Sequence, residues 1–371
     1  MAELEDERFM QEALRHARKG LGRTSPNPAV GAVIVRDGRI VATGYHHEAG
    51  GPHAEVEAIR ALGGRAAPGD ALYVTLEPCN HAGRTPPCTR AVLESGLRRV
   101  VVGMLDPNPN VAGGGCAYLE EMGVEVRTGV LEEACRTLNE AFVKHALTGR
   151  PFVIAKTAST LDGWTATATG HSRWVTNEQS RRFVHRLRDR CDAVLVGVGT
   201  VLADDPSLTA RPAGRRGRDP VRVIVDTHLR TPGDAAVFRL DSPAETLVAV
   251  GEEVEESRLA FLSALPGVSA LRCPAGAEGL DLGVLLDRLG ERGILSVLVE
   301  GGAGIMGSMI RSRLIDKAYV FKAPKLLGGN DGVPVAAGPG AGRMDDCLVL
   351  EKIRVRRFGD DVLIRGYPRH G

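Results

Sequence analysis

The sequence predicts two successive α/β domains. Three observations point that way. The chain has 371 residues, more than one ordinary domain needs. Short apolar runs alternate with amphipathic segments in both halves. The stretch "TGRPF", Thr148 to Phe152, interrupts that alternation with a Gly and a Pro. The expected domains are therefore 1–147 and 151–371.

In the first half, Phe9, Ala13 and Ala17 form one stripe, which predicts a helix from about Glu5 to Lys19, stopped by Gly20. "TSPNPAVGAVIVRDGRIVATGYHH" reads as loop, strand, "RDG" turn and strand. "HAEVEAIRALGG" is a helix closed by Gly63 and Gly64, "ALYVTL" a strand, and "PPCTRAVLESG" contains a helix. "RRVVVGML", "GCAYLEEMG" and "VEVRTG" continue as strand, helix, strand, and "LEEACRTLNEAFVKHAL" predicts one longer helix. The implied layer is a sheet with helices on both faces. In the second half, strands are expected at "FVIAKTAS", "DAVLVGVG", "VRVIVD", "TLVAVG", "LSVLVEGG" and "KAYVFKAPKL", and helices around 177–190, 280–292 and 302–313. "ARPAGRRGRDP", from Ala210 to Pro220, is a basic loop between elements.

Composition narrows the function classes. Lys and Arg number 47 against 46 Asp and Glu, for a net charge of +1. That balance argues against broad nucleic-acid binding, which needs a surplus of phosphate-neutralising side chains. No apolar run reaches the roughly 18 residues of a membrane-spanning helix. The acidic start "MAELEDERFM" has no apolar core of a signal peptide. Seven scattered cysteines, an odd number, suit a reducing compartment better than a disulfide framework, so a cytoplasmic location is expected.

Residues 53–88 carry the chemistry. A catalytic zinc takes three protein ligands and leaves one position for water. His53, Cys79 and Cys88 supply three such ligands. Glu55 would then be the acid–base group, because zinc-dependent deaminases combine H-x-E with P-C-x-x-C. "HAE" and Pro78-Cys79 fit that pattern, but eight residues rather than two separate the cysteines. His53 and Glu55 are two apart and share no helix face, so the site is expected at the N-terminal end of a helix. Cys79 and Cys88 likewise precede an expected helix, whose dipole favours thiolates. His81 remains available as a fourth ligand of a purely structural zinc.

"TSPNPAVGAVIV", "HAEVEAI", "VTLEPCNHAGRTPPCT" and "DPNPNVAGGG" together resemble the bifunctional deaminase–reductases of riboflavin biosynthesis, whose own form of the motif has the long insert between the cysteines. "KTASTLDGWTATATGHSRWVT", "GVGTVLADDPSLTAR", "VEGGAG" and "APKLLGG" resemble the reductase half of that family, and 230–290 resembles it least. The resemblance implies a cytidine-deaminase-like three-layer domain followed by a dihydrofolate-reductase-like α/β domain. It implies Zn2+ and NADPH as cofactors and a small phosphorylated pyrimidine as substrate. The implied steps are removal of the 2-amino group of 2,5-diamino-6-ribosylamino-4(3H)-pyrimidinone 5′-phosphate, then reduction of the ribosyl group. The product would be 5-amino-6-ribitylamino-uracil 5′-phosphate. A homo-oligomer acting without nucleic acid or membrane is the expected form. Asn27 would hold the pyrimidine edge, and His81, Arg84 and Thr85 the ribose phosphate.

For the reductase half, "VEGGAG" follows a strand and opens a helix, and "GVGT" is a second glycine-rich strand end. Two such turns in one domain suit a dinucleotide clamp. The resemblance places cofactor contacts on Ala158, Trp174, Thr200, Asp204, Thr227 and on Gly302, Ala303, Gly304, Ile305, Met306, Gly307 and Ser308. It places substrate contacts on Ser172, Arg188, Leu208, Arg211 and Glu300. Arg188 and Arg211 suit a phosphate, which a guanidinium grips with two hydrogen bonds. Lys156 and Asp204 are both open as the proton donor to the sugar oxygen. Two other readings compete: a zinc deaminase of a nucleoside or tRNA base, and a zinc-stabilised binding protein without catalysis. Neither explains the reductase-like half together with Glu55.

Overall fold

The structure, a computed structural model, describes residues 2–81, 86–108 and 114–369. The chain divides into two compact units, Met1–Gly149 and Arg150–Gly371.

In the first unit α1 (Ala2–Ala17) precedes β1 (Gly31–Arg36) and β2 (Arg39–Tyr45). These strands turn through Asp37 and Gly38, both at positive φ (48° and 71°), the conformation that a tight hairpin requires. Then come α2 (Ala54–Ala61), β3 (Ala71–Val74), α3 (Cys88–Ser95), β4 (Arg99–Val102), α4 (Gly115–Glu121), β5 (Glu125–Arg127), α5 (Glu132–Leu138) and α6 (Glu140–Thr148). The sheet order is β2-β1-β3-β4-β5, antiparallel at β1 and parallel from β3 to β5.

Two glycines build the layers. A Cβ on Gly31 would lie 2.1 Å from the Ala13 carbonyl oxygen of α1, and one on Gly44 would lie 2.3 Å from the Ala54 carbonyl oxygen of α2. Gly44 pairs with Ala32, the neighbour of Gly31. Paired residues share a face and successive residues alternate, so α1 and α2 pack on opposite sides of the sheet. The result is a three-layer sandwich around an apolar cluster that includes Phe9, Ile34, Leu72, Val101 and Leu119.

The long helix expected over 131–147 is instead two, α5 and α6, broken at Asn139 (φ −109°, ψ 25°). The reason is tertiary. Buried Asn139 accepts from the Ala29 N–H at 2.8 Å and donates to the Ala29 carbonyl at 3.0 Å. Those two bonds fix the loop before β1, and periodicity along the chain carries no trace of them.

The second unit contains β6 (Phe152–Ser159), β7 (Trp164–Ala166), α7 (Glu178–Arg188), β8 (Ala193–Gly197), α8 (Val198–Asp204), β9 (Val221–Val225), β10 (Thr246–Gly251), α9 (Glu256–Ser263) and β11 (Val268–Cys273). It continues with β12 (Ala275–Gly276), β13 (Gly279–Leu280), α10 (Leu282–Glu291), β14 (Ser296–Gly301), α11 (Ala303–Arg311), β15 (Lys317–Lys322), β16 (Val333–Pro334), β17 (Leu350–Phe358) and β18 (Asp361–Pro368). The main sheet runs β11-β10-β9-β8-β14-β6-β15-β18-β17, parallel through β15 and closed by an antiparallel hairpin, β18 with β17. Its central strands are buried on both faces. Leu195, Val223 and Leu247 enter one apolar cluster, and Val194, Ile224 and Val248 the other. Continuous apolar runs are what a covered parallel sheet requires.

Differences from expectation sit at strand ends and in elements no strand or helix pattern announced, among them β18, which lies between β15 and β17. Val198 and Gly199, read as the end of a strand, begin α8. α9 and β11 lie in the stretch that resembles the family least, and β17 exposes Glu351 through Arg357, so no apolar run announces it. Asn139→Ala should lower the stability of the first unit by about 1–3 kcal/mol, because two buried main-chain groups lose their partner. Urea unfolding of the full chain, followed by the first unit's own transition, would show it.

Candidate active site

The three expected zinc ligands converge. His53 is the N-cap of α2 with extended backbone (φ −75°, ψ 163°), Cys88 is the first residue of α3, and Cys79 lies on the loop that leaves β3. Their ligand atoms all fall within 4.8 Å of one another. His53 Nδ1 stands 3.1 Å from Cys88 Sγ and 3.5 Å from Cys79 Sγ. The Cys88 amide donates to Cys79 Sγ at 3.3 Å, and the Thr89 amide to the Cys79 carbonyl at 3.2 Å. These bonds close the ends of the long insert. Cys79 is held well below the usual thiol range, first by the hydrogen bond from the Cys88 thiol and also by His53 and the Cys88 amide, against the effect of burial. Cys88 is the partner that keeps the proton. One imidazole nitrogen and two sulfurs, one already inclined to ionise, form a donor set that suits zinc. Among the described residues His81 is outside this group, and it is exposed. Three ligands rather than four leave a position open for chemistry.

Glu55 sits in the first turn of α2, only 3% exposed. Burial pushes its carboxyl up to about 7, near the value at which one group both accepts and returns a proton. His53, Cys79 and Glu55 line a cavity of about 460 Å³. Asn27 is in its wall and donates from its amide toward His46 Nε2 at 3.1 Å, while His46 Nδ1 meets the Pro52 carbonyl at 2.9 Å. His81 is in the wall as well, whereas Arg84 and Thr85 lie outside the described residues. His46, Glu77 and Asp106 also line the cavity, and none of them is among the expected site residues. Glu77, directly before Pro78-Cys79, is the one that a closer reading of "LEPC" could have singled out.

The second unit gathers its glycine turns at the carboxyl ends of parallel strands, the usual place for a ligand in such a sheet. "GVGT" ends β8 and "EGG" ends the adjacent β14. A Cβ on Gly197 would lie 2.9 Å from Ile305 Cγ1, and one on Gly301 would lie 2.9 Å from Thr200 Oγ1, so the turns interlock. Gly302 caps α11 at φ 84°, which opens the run Gly302 to Ser308. Gly199 and Gly304 face open space, with nothing within 4 Å of an added Cβ. Interlocked turns with bare outer glycines fit a dinucleotide phosphate laid against the main chain.

The other expected cofactor residues are distributed around these turns. Thr227 follows β9 and its carbonyl accepts from the Gly251 amide at 3.0 Å. Ala158 is on β6 opposite Phe321, and Asp204 ends α8. Trp174 is 60% exposed under the Arg181 guanidinium at 4.3 Å, so it is no core residue. Ser172 is half-buried before α7, and Leu208 packs into the apolar cluster with Val194 and Val201.

Arg188 and Glu300 are brought together as a bidentate ion pair, in which one guanidinium edge donates from Nε to Oε1 and from Nη2 to Oε2. Lys156 Nζ is 3.6 Å from the same carboxylate. Arg188 is therefore neither on a solvated face nor free for a phosphate alone: its side chain is 14% exposed and also reaches the Thr209 carbonyl at 3.1 Å. Arg188 and Lys156 lower the Glu300 carboxyl to about 2 despite its burial. Exposed Arg211 donates its amide to His185 Nδ1 at 3.3 Å. His185, unflagged by any motif, is the residue that ties Arg211 to α7.

Residues 151–364 match the RibD C-terminal domain family, and residues 4–104 match the cytidine and deoxycytidylate deaminase zinc-binding region. The riboflavin biosynthesis protein RibD of Aquifex aeolicus is 43% identical, with 97% of each chain covered. The chain belongs to the RibD family. Its counterpart from Escherichia coli is 40% identical over 97% of this chain and 99% of its own. The crystal structure of a diaminohydroxyphosphoribosylaminopyrimidine deaminase/5-amino-6-(5-phosphoribosylamino)uracil reductase from Thermotoga maritima covers all of both chains at 39% identity and a TM-score of 0.88. RibD of Acinetobacter baumannii is similar over 99% of this chain, with 35% identity and a TM-score of 0.88. As a RibD protein, the chain is a two-activity enzyme of riboflavin biosynthesis, a deaminase and a reductase, with zinc and NADPH as cofactors. No helix among its described residues is long and apolar enough to cross a membrane.

Two outcomes follow from this geometry. Gly304→Val should weaken NADPH binding about tenfold or more, by placing a side chain where the main chain is bare, while the melting temperature holds; a fluorescence titration with NADPH reads the first effect and calorimetry the second. Burial, Arg188 and Arg211 keep His185 neutral down to about 4, against 6.5 for an exposed imidazole, with Glu300 opposing them. The unfolded chain therefore takes up a proton that the folded chain refuses, so this group costs stability as pH falls from about 6.5 to about 4. His185→Gln should flatten the fall in melting temperature across that window and leave the steeper loss below it, where Glu300 protonates.

Proposed function

We propose that residues 1–147 deaminate 2,5-diamino-6-ribosylamino-4(3H)-pyrimidinone 5′-phosphate and that residues 151–371 then reduce its ribosyl group. The convergence of His53, Cys79 and Cys88 beside buried Glu55 is the observation that carries this reading. His53, Cys79 and Cys88 hold the zinc, which when bound supplies Lewis acidity to water and to the ring carbon. Glu55 takes a proton from the attacking water and delivers it to the ring nitrogen, then takes the proton of the new hydroxyl and delivers it to the departing amine, so that ammonia leaves as the carbonyl forms. Asn27 orients the pyrimidine edge, and His81 meets the ribose phosphate.

In the second unit Gly302, Ala303, Gly304, Ile305, Met306, Gly307 and Ser308, with Ala158, Trp174, Thr200, Asp204 and Thr227, hold NADPH, which when bound supplies a hydride to C1′ of the sugar. Ser172, Arg188, Leu208, Arg211 and Glu300 position the substrate. Lys156 gives a proton to the ring oxygen as its bond to C1′ breaks. Lys156 is favoured over Asp204 because burial lowers its pKa and Glu300 fixes its ammonium. The proposed setting is the cytoplasm, to which seven free cysteines are suited. The proposed form is a homo-oligomer; Ile353 and Val355, exposed on edge strand β17, support it.

Purified protein given the diaminopyrimidine should release ammonia first and consume NADPH second. Glu55→Ala should release ammonia at least about 100-fold more slowly, keep its zinc, and still oxidise NADPH when given the deaminated intermediate. No ammonia from the wild type with zinc present would reject the substrate assignment and favour a nucleoside or tRNA base.

A further inference from the structure

Glu77 is buried at 6% exposure in the wall of the deaminase cavity, two residues before Cys79. Three backbone amides bind its carboxylate. Asp106 donates to Oε2 at 3.0 Å, while Gly115 and Cys116, at the start of α4, donate to Oε1 at 3.1 and 3.0 Å. Its own amide is bonded to the Met104 carbonyl at 2.9 Å. The contact with α4 is close: a Cβ on Gly115 would lie 1.8 Å from the Pro78 carbonyl oxygen. One carboxylate thus ties the loop that carries Cys79 to Asp106 and to the start of α4.

That segment brings two polar side chains to the wall, Asp106 and Asn108. They are linked in turn, because the Asp106 carboxylate accepts the Asn108 amide at 2.9 Å. The order of control runs from Glu77 to the Asp106 main chain, from the Asp106 side chain to Asn108, and so to the wall that faces the substrate. Glu77 reaches none of the zinc donors in this chain of bonds.

We infer that Glu77 is a positioning residue for substrate recognition: it sets Asp106 and Asn108 against the zinc ligands and acts on binding rather than on the proton transfers. The inference rests on the deaminase reading above. Its chemistry is specific to a carboxylate. All three partners are N–H donors, so Glu77→Gln must turn its –NH2 toward one of them. Either the Asp106 bond or the α4 bonds are lost although the shape is kept.

The test is a double-mutant cycle on the full-length enzyme with zinc bound, comparing wild type, Glu77→Gln, Asp106→Ala and the double variant. Ammonia release gives KM and kcat, and atomic emission gives the zinc content. Glu77→Gln should raise KM about tenfold, the equivalent of one lost buried hydrogen bond, with kcat changed less than about threefold and one zinc per chain retained. Added to Asp106→Ala it should raise KM little further, because the side chain it orients is already gone. Should Glu77→Gln not fold, Glu77→Asp keeps both oxygens one methylene short, and the same non-additive rise in KM is expected. A fall in kcat at unchanged KM, loss of zinc, or additive effects in the cycle overturns the positioning role. No ammonia from the wild type overturns the deaminase reading and this inference with it, whereas ammonia from the wild type and an unaltered KM in both Glu77 variants overturns this inference alone.

Discussion

The deaminase unit depends on bringing two helix starts to the end of one strand. His53 and Cys88 belong to different helices, yet both must reach Cys79 on the loop after β3. The close approach of α2 to the sheet makes this possible. Gly44 lets the α2 backbone settle at a distance that any side chain would forbid. Glu55, in the first turn of that helix, then enters the interior with an apolar core behind it, and its raised pKa is a consequence of depth.

The reductase unit solves a different problem. Lys156 and Arg188 share one carboxylate, Glu300, in a half-buried cluster that carries an excess of positive charge. An isolated cation there would be costly, and the single carboxylate lowers that cost without cancelling it. Such a cluster is prepared for an anionic substrate, and the neutral state of His185 avoids adding a further cation. The glycine turns at the ends of β8 and β14 are held by contact with each other, Gly197 on Ile305 and Gly301 on Thr200.

The two units also differ in how they use buried polar groups. In the first, Asn139 and Glu77 each stitch distant loops through main-chain bonds. In the second, buried Asp192 plays that part: it accepts from the Leu295 and Ser296 amides at 3.1 Å and so registers the start of β14 against β8. A side chain that satisfies main-chain donors far away in sequence is a strong constraint on loop position, because each such donor left unpaired would cost about 1–3 kcal/mol.

Much of this was legible in the chain. The apolar alternation marks nearly every core strand, because burial on one or both faces demands it. The HAE and PC motifs name residues that could hold a metal, and the structure brings them together, since few residue types can bind zinc or shuttle its protons. Less legible were the elements at edges and breaks: β17, whose exposed face needs no apolar residues, and the interruption at Asn139, whose cause lies 110 residues away at Ala29. The same holds within the sites. Sequence alone determined which residues could be ligands, bases and glycine turns, because those roles depend on side-chain chemistry and on short spacing. Only the tertiary structure decided that Arg188 pairs with Glu300, that the Arg211 amide meets His185 and that the Asp106 amide meets Glu77. Those partners meet across 112, 26 and 29 residues, distances over which local pattern carries no information and only the folded chain brings charge to charge.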